Sequence, residues 1–138
     1  MSTSLLYHTQ GLGGFLFETF KFLGGSTIAE VCRAPDKFCC PHCKSHSVTP
    51  TRIGTRDIQG LPIGRCCFYL RVKMHRIRCH DCGAYVMEKL PFVPSEKARH
   101  TRGLARTVVE LRSEMSISAI SDYFDLHWTT VKDIEKNI

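Results

Sequence analysis

The chain has no apolar run approaching the ~18 residues of a membrane-spanning helix, so nothing in it predicts a membrane protein. Residues 1–6 carry no charged side chain, and no long apolar run or small-residue cleavage site follows; no secretory signal is expected. There is no phosphate-binding glycine loop and no Ser/His/Asp arrangement, which counts against nucleotide hydrolysis and acyl transfer. The chain has 138 residues, room for one ordinary domain or two small modules. A soluble, cytoplasmic protein without a small-molecule substrate is the expectation.

Excess charge is also missing from both ends. Residues 1–38 hold three basic and three acidic side chains, and residues 95–138 hold seven of each. Residues 39–94 hold nine basic against three acidic, so the whole net charge of +6 lies there. Localised basicity of this kind predicts a polyanion partner, and double-stranded DNA heads the candidates. A solubilising surface is the plainer alternative.

What the chain has in quantity is cysteine, eight in all. Without an export signal the compartment is taken as reducing, which disfavours disulfides. Four of the eight form two knuckles, Cys40-Pro41-His42-Cys43 and Cys79-His80-Asp81-Cys82, with 35 residues between them. A C-x2-C turn points two sulfurs at one ion, so two such turns predict one structural, tetrahedral Zn2+. Gly83 frees the backbone after the second knuckle. Cys39 in a C-x3-C register, or His42 and His80 in place of a thiolate, are the alternative ligands. Four protein ligands leave no open position, so the metal is read as structural and not catalytic. Cys32, Cys66 and Cys67 are read as small buried apolar residues and not as ligands.

Along the chain, 15–23 and 27–32 are aromatic and β-branched and flank Gly24-Gly25-Ser26, a predicted hairpin. A strand is expected over 52–58, a turn at Gly60-Leu61-Pro62, and a closing strand over 84–89. Residues 66–75 alternate strictly: Cys66, Phe68, Leu70, Val72 and Met74 on one face, Cys67, Tyr69, Arg71, Lys73 and His75 on the other. Period-two alternation predicts a strand with one dry and one wet face. Arg71 and Lys73, joined by Arg52, Arg56, Arg76 and Arg78, make a basic surface suited to tracking phosphates, or an ordinary solvated face.

Residues 95–138 are predicted helical. Pro94-Ser95-Glu96 is taken as a helix start. Leu104, Val108, Leu111 and Met115 form an amphipathic stripe. Ser116 is positioned to cap a second helix bearing Ile117, Ile120, Tyr123 and Phe124, and a third is expected over 128–136. With Ser121 at the helix crossing, Asp125 in the turn, Leu126 plugging it, and Val131 and Ile134 facing inward, the pattern is that of a helix-turn-helix. Its second helix would present Trp128, Thr129, Lys132, Asp133 and Lys136, with Thr129 and Lys132 at base edges and Thr130 or Lys136 at phosphates. The fold class expected is therefore α+β: an N-terminal β-hairpin (1–38), a zinc-ribbon-like module (39–94) and a three-helix helix-turn-helix module (95–138).

Several short motifs in this order carry a resemblance. The start Met1-Ser2-Thr3-Ser4-Leu5-Leu6-Tyr7-His8, the first knuckle, Leu61-Pro62-Ile63-Gly64, Arg78-Cys79-x-x-Cys82-Gly83, Leu104-Ala105-Arg106 and Trp128-Thr129-Thr130-Val131-Lys132-Asp133-Ile134 are similar to the amino-terminal region of the ISL-three family of insertion-sequence transposases. The resemblance implies zinc on Cys40, Cys43, Cys79 and Cys82 and recognition of terminal inverted repeats by the finger and helix-turn-helix. It also implies a following RNase H-like domain with three acidic metal ligands, which has no counterpart before Ile138. The expected function is thus the sequence-specific DNA-binding portion of a transposase without catalysis of its own. The alternative is a protein-interaction or regulatory module that engages full-length transposase or a second copy.

Overall fold

A computed structural model describes residues 3–137. Met1, Ser2 and Ile138, which belong to the opening motif and the end of the last module, lie outside the described residues. Helix α1 (Thr3–Gln10) leads into strands β1 (Phe15–Leu23) and β2 (Ser26–Arg33). These form the expected hairpin, with Gly24 and Gly25 at φ +55° and +80° in its two-residue turn. After a 3-10 turn at Pro35–Lys37 come β3 (Val48–Ile63), β4 (Cys66–Cys79) and β5 (Tyr85–Met87). Helices α2 (Arg102–Leu111), α3 (Ile117–Phe124) and α4 (Trp128–Lys136) follow.

One mixed sheet organises the first two thirds, in the order β1-β2-β4-β3. β3 and β4 form a long antiparallel hairpin. On the other edge of β4, β2 pairs parallel with residues 67–72 and β5 antiparallel with 76–78. The N-terminal hairpin therefore shares a sheet with the cysteine-bearing segment. The alternation read over 66–75 holds from Phe68 on: Phe68, Leu70, Val72 and Met74 are buried, whereas Cys66, and with it Cys32 and Cys67, expected to be buried, are only half-buried. The buried side chains pack with Leu6 and Leu12, with Ala29 and Val31 of β2, and with Phe92 and Val93. Beyond Met74 the burial changes sides, to Ile77 and Cys79.

Two local expectations are corrected. Gly60-Leu61-Pro62 is not the hairpin turn; it lies within β3, and the turn falls at Gly64-Arg65 with Gly64 at φ +63°. Gly60 serves close approach instead. A Cβ there would lie 2.6 Å from Gln10 Oε1, whose side chain accepts from the Leu61 N–H (3.1 Å) and donates to the Leu61 carbonyl (3.3 Å). The first C-terminal helix begins at Arg102 rather than near Pro94, capped by Thr101, whose hydroxyl accepts from the Leu104 N–H at 3.1 Å. Residues 99–101 are extended because they bridge to β3. The Gln59 N–H donates to the Arg99 carbonyl (2.8 Å) and the Thr101 N–H to the Gln59 carbonyl (2.9 Å).

The three C-terminal helices close over their own core of Leu104, Val108, Ile120, Phe124, Leu126, Val131 and Ile134. Leu61 of β3 packs against this cluster, and the Gln59 amide donates to the Phe124 carbonyl at 2.6 Å, so sheet and helices are joined at one end of β3. The architecture is α+β, a sheet bearing a ribbon-like four-cysteine cluster followed by a helix-turn-helix. Among the described residues, no helix is long and apolar enough to cross a membrane.

Candidate metal centre and nucleic-acid interface

The first cysteine knuckle precedes β3 and the second ends β4, so the β3–β4 ladder brings them together: Val48 pairs with Cys79. Each knuckle is built the same way. The Cys40 N–H donates to the Ser45 carbonyl (2.9 Å) and the Cys79 N–H to the Ala84 carbonyl (2.8 Å). The residue after each second cysteine is left-handed, Lys44 at φ +64° and Gly83 at φ +74°. The side chains of Ser45 and Asp81 hydrogen-bond across the pair.

The sulfurs of Cys40, Cys43, Cys79 and Cys82 all lie within 4.8 Å of one another, with Cys40–Cys82 at 3.5 Å and Cys43–Cys79 at 3.4 Å. A tetrahedral ion with Zn–S of about 2.3 Å requires sulfurs about 3.8 Å apart, so the cluster fits such an ion. Backbone N–H groups already point at the sulfurs: His42 to Cys40, and Asp81 and Cys82 to Cys79, each at 3.4 Å. The Cys43 and His42 N–H groups hold Cys40 down to about 7, and those of Cys82 and Asp81 lower Cys79. Against the pull of the Ser45 N–H, the neighbouring sulfur of Cys79 pushes Cys43 up to about 12. A divalent cation held by these four residues would take them all as thiolates and so relieve the crowding. Of the alternative ligands, Cys39 is outside the cluster, and His80 is turned to Thr49, Nε2 to Oγ1 at 2.8 Å.

In the helix-turn-helix, Ser116 caps α3 through its hydroxyl, which accepts from the Ala119 N–H at 3.1 Å. Asp125 takes the left-handed turn position at φ 53°, ψ 47°. The Ser121 hydroxyl donates to the Leu126 carbonyl and so locks the turn. His127, a poor cap by residue type, caps α4 with Nδ1, which accepts from the Thr129 N–H (3.3 Å) and lies 2.7 Å from its hydroxyl. The His127 ring stacks on Trp128, and Lys132 Nζ sits 4.7 Å over the indole. Trp128, Thr129, Lys132 and Lys136 are exposed, and Thr130 is half-buried. Glu135 is drawn away to Arg112 at 3.0 Å, so the exposed side of α4 carries Lys132 and Lys136 against Asp133 alone. Sequence spacing gave no sign of the Arg112–Glu135 pair.

The basic residues of the sheet separate into two groups. Arg71 is paired with Asp57 (3.0 Å), Lys73 with Glu18 of β1 (2.5 Å), and Arg56 donates to the Ala98 carbonyl. Arg52, Arg76 and Arg78 are exposed. Arg76 and Arg78 lie over the Tyr85 ring, 5.4 and 4.6 Å from its centroid. By strand alternation they face opposite to Arg71 and Lys73, so the sequence-adjacent basic residues do not form one stripe.

Residues 88–138 match the helix-turn-helix domain of transposase family ISL3. The chain is 28% identical over 97 residues to the transposase for insertion sequence element IS1001 of Bordetella parapertussis, a match covering 70% of this chain and 24% of that protein. The chain thus spans about a quarter of the length of the curated relative it matches. No solved structure matches it significantly. The resemblance to an ISL3-type transposase amino-terminal region is borne out on these grounds.

Proposed function

We propose that this chain is the DNA-recognition region of an ISL3-type transposase, that α4 reads the terminal inverted repeats of an insertion sequence, and that these residues carry no strand-cleaving chemistry of their own. The observation that carries the reading is the helix-turn-helix within 88–138, closed on its own core with Trp128, Thr129, Lys132 and Lys136 on the outer side of its second helix. An α-helix of this kind fits the major groove, where Lys132 reaches guanine acceptors and Thr129 a thymine methyl. Thr130 and Lys136 then contact phosphates.

Within this reading residues 1–38, 39–94 and 95–138 are a hairpin, a zinc module and a reading module. Zn2+ on Cys40, Cys43, Cys79 and Cys82 is structural and fixes the far end of the β3–β4 hairpin. Arg52, Arg76 and Arg78 are the sheet's free phosphate contacts, and Arg71 and Lys73 contribute less because their charges are already paired. The partner is double-stranded DNA, and the nucleoid is the place of action.

A mobility shift tests the reading with the zinc-loaded chain, a terminal-repeat duplex and a scrambled duplex. Retardation of the repeat at lower protein concentration than the scrambled duplex is expected, with no nicked product after incubation with Mg2+. Equal retardation of both duplexes removes sequence-specific reading, and no retardation of either at about 50 mM salt removes DNA binding altogether.

A further inference from the structure

We propose that Arg56, Arg71 and Arg99 form a pocket for one phosphodiester of the DNA backbone, with Asp57 as the counter-ion the phosphate displaces; the proposal rests on the DNA-binding reading above. A cavity of about 380 Å³ on the edge of β3 is lined by Thr55, Arg56, Asp57, Arg71 and Arg99. Three strands of chain converge there. Asp57 and Arg71 are directly opposed across β3 and β4, and their pair is bidentate, Nε–Oδ1 3.0 Å and Nη2–Oδ2 3.3 Å. Arg56 is anchored by one guanidinium nitrogen on the Ala98 carbonyl, which leaves its other donors for a ligand. Arg99 is delivered by the bridge between His100 and Gln59.

The lining therefore holds three arginines and one aspartate, Asp57 and Arg71 leaving the sheet on one face and Arg56, the neighbouring residue of β3, reaching the pocket from the other. Among the described residues Arg99 has no ion-pair partner, and burial together with the Arg99 charge lowers the Arg56 pKa. Convergent cations cost free energy unless an anion joins them, and the guanidinium fork matches phosphate oxygens. The lining holds no aromatic side chain to stack a base, which favours a backbone phosphate over a free nucleotide. Arg99 also lines the adjoining groove of about 750 Å³, which is bounded by Thr130 and Asp133 of α4. A duplex seated on α4 thus has a phosphate clamp beside the reading helix.

Fluorescence anisotropy of the full zinc-loaded chain with a fluorescein-labelled terminal-repeat duplex, across KCl concentrations, tests the proposal. Arg99→Gln should lower the slope of log K against log salt by about 0.9 and weaken binding about eightfold at 0.1 M salt. Asp57→Asn should tighten binding severalfold, a gain that loss of structure does not produce. Wild-type binding with an unchanged slope and affinity in Arg99→Gln overturns the pocket while leaving DNA recognition standing. No binding by the wild-type chain overturns DNA recognition itself, and the pocket with it. Inorganic phosphate titrated at constant ionic strength separates the two sources of the ligand. Arg99-dependent saturation by free phosphate that leaves DNA affinity unchanged overturns the assignment to DNA.

Discussion

Gln59 ties the sheet to the helix-turn-helix, and its removal has a calculable effect. The residue is only 8% exposed. Its amide donates to the Phe124 carbonyl at the end of α3, 65 positions away, while its backbone holds residues 99–101 on both sides. Gln59→Met keeps the length and volume of the side chain and deletes the donor, leaving a buried carbonyl without its partner. That loss costs about 1–3 kcal/mol. At about 4 °C per kcal/mol for a chain of this size, Tm should fall by about 4–12 °C. Gln59→Ala should lose more, because a cavity is added. Thermal unfolding followed by circular dichroism gives the magnitude, and amide exchange over 117–126 gives the location. The exchange should quicken there before it does in β4. If Gln59→Met lies within about 0.3 kcal/mol of wild type and exchange over 117–126 is unchanged, the strut is not a strut and the reasoning fails.

Three further outcomes are expected. Removal of metal by a chelator, with loss verified by elemental analysis, or Cys43→Ser, should abolish the ordered near-ultraviolet signal of the sheet, since a small core of this kind depends on its staple; an unchanged spectrum rejects a structural metal. Burial lowers the His100 pKa below 6.5, so protonation is disfavoured in the folded chain. The contribution to stability is full above pH 6.5 and is lost as pH falls through the folded value; denaturant titrations of wild type and His100→Gln should diverge in that direction only. Finally, Lys73→Ala should weaken DNA binding less than Arg76→Ala, because Glu18 already neutralises Lys73; equal losses in anisotropy contradict the division between paired and free basic residues.

Much of the site was legible because its signals are local. The C-x2-C spacings led to Cys40, Cys43, Cys79 and Cys82, whose sulfurs converge. Strict alternation over 66–75 named the buried face of β4, and the spacing from Ser116 to Ile134 named the helix-turn-helix with its left-handed Asp125. What escaped depends on distant partners. Glu18 reaches Lys73 only because β2 pairs parallel with β4 and brings the hairpin into the sheet. Gly60 reads as a turn residue until α1 places Gln10 against it. Arg99 carries no motif at all; a backbone bridge puts it beside Arg56. α2 starts at Arg102 for the same reason: Pro94-Ser95-Glu96 is a sound local helix start, but the backbone of 99–101 is committed to β3.

The central claim is that α4 reads sequence. The measurement that tests it most directly is the ratio of affinities for the terminal repeat and for a scrambled duplex, taken for wild type and for Lys132→Ala at fixed salt. A base contact by Lys132 predicts a wild-type preference that shrinks by about 1–3 kcal/mol in the variant. A ratio that Lys132→Ala leaves unchanged, with overall affinity lowered equally on both duplexes, would show a phosphate contact only and contradict base reading by this residue.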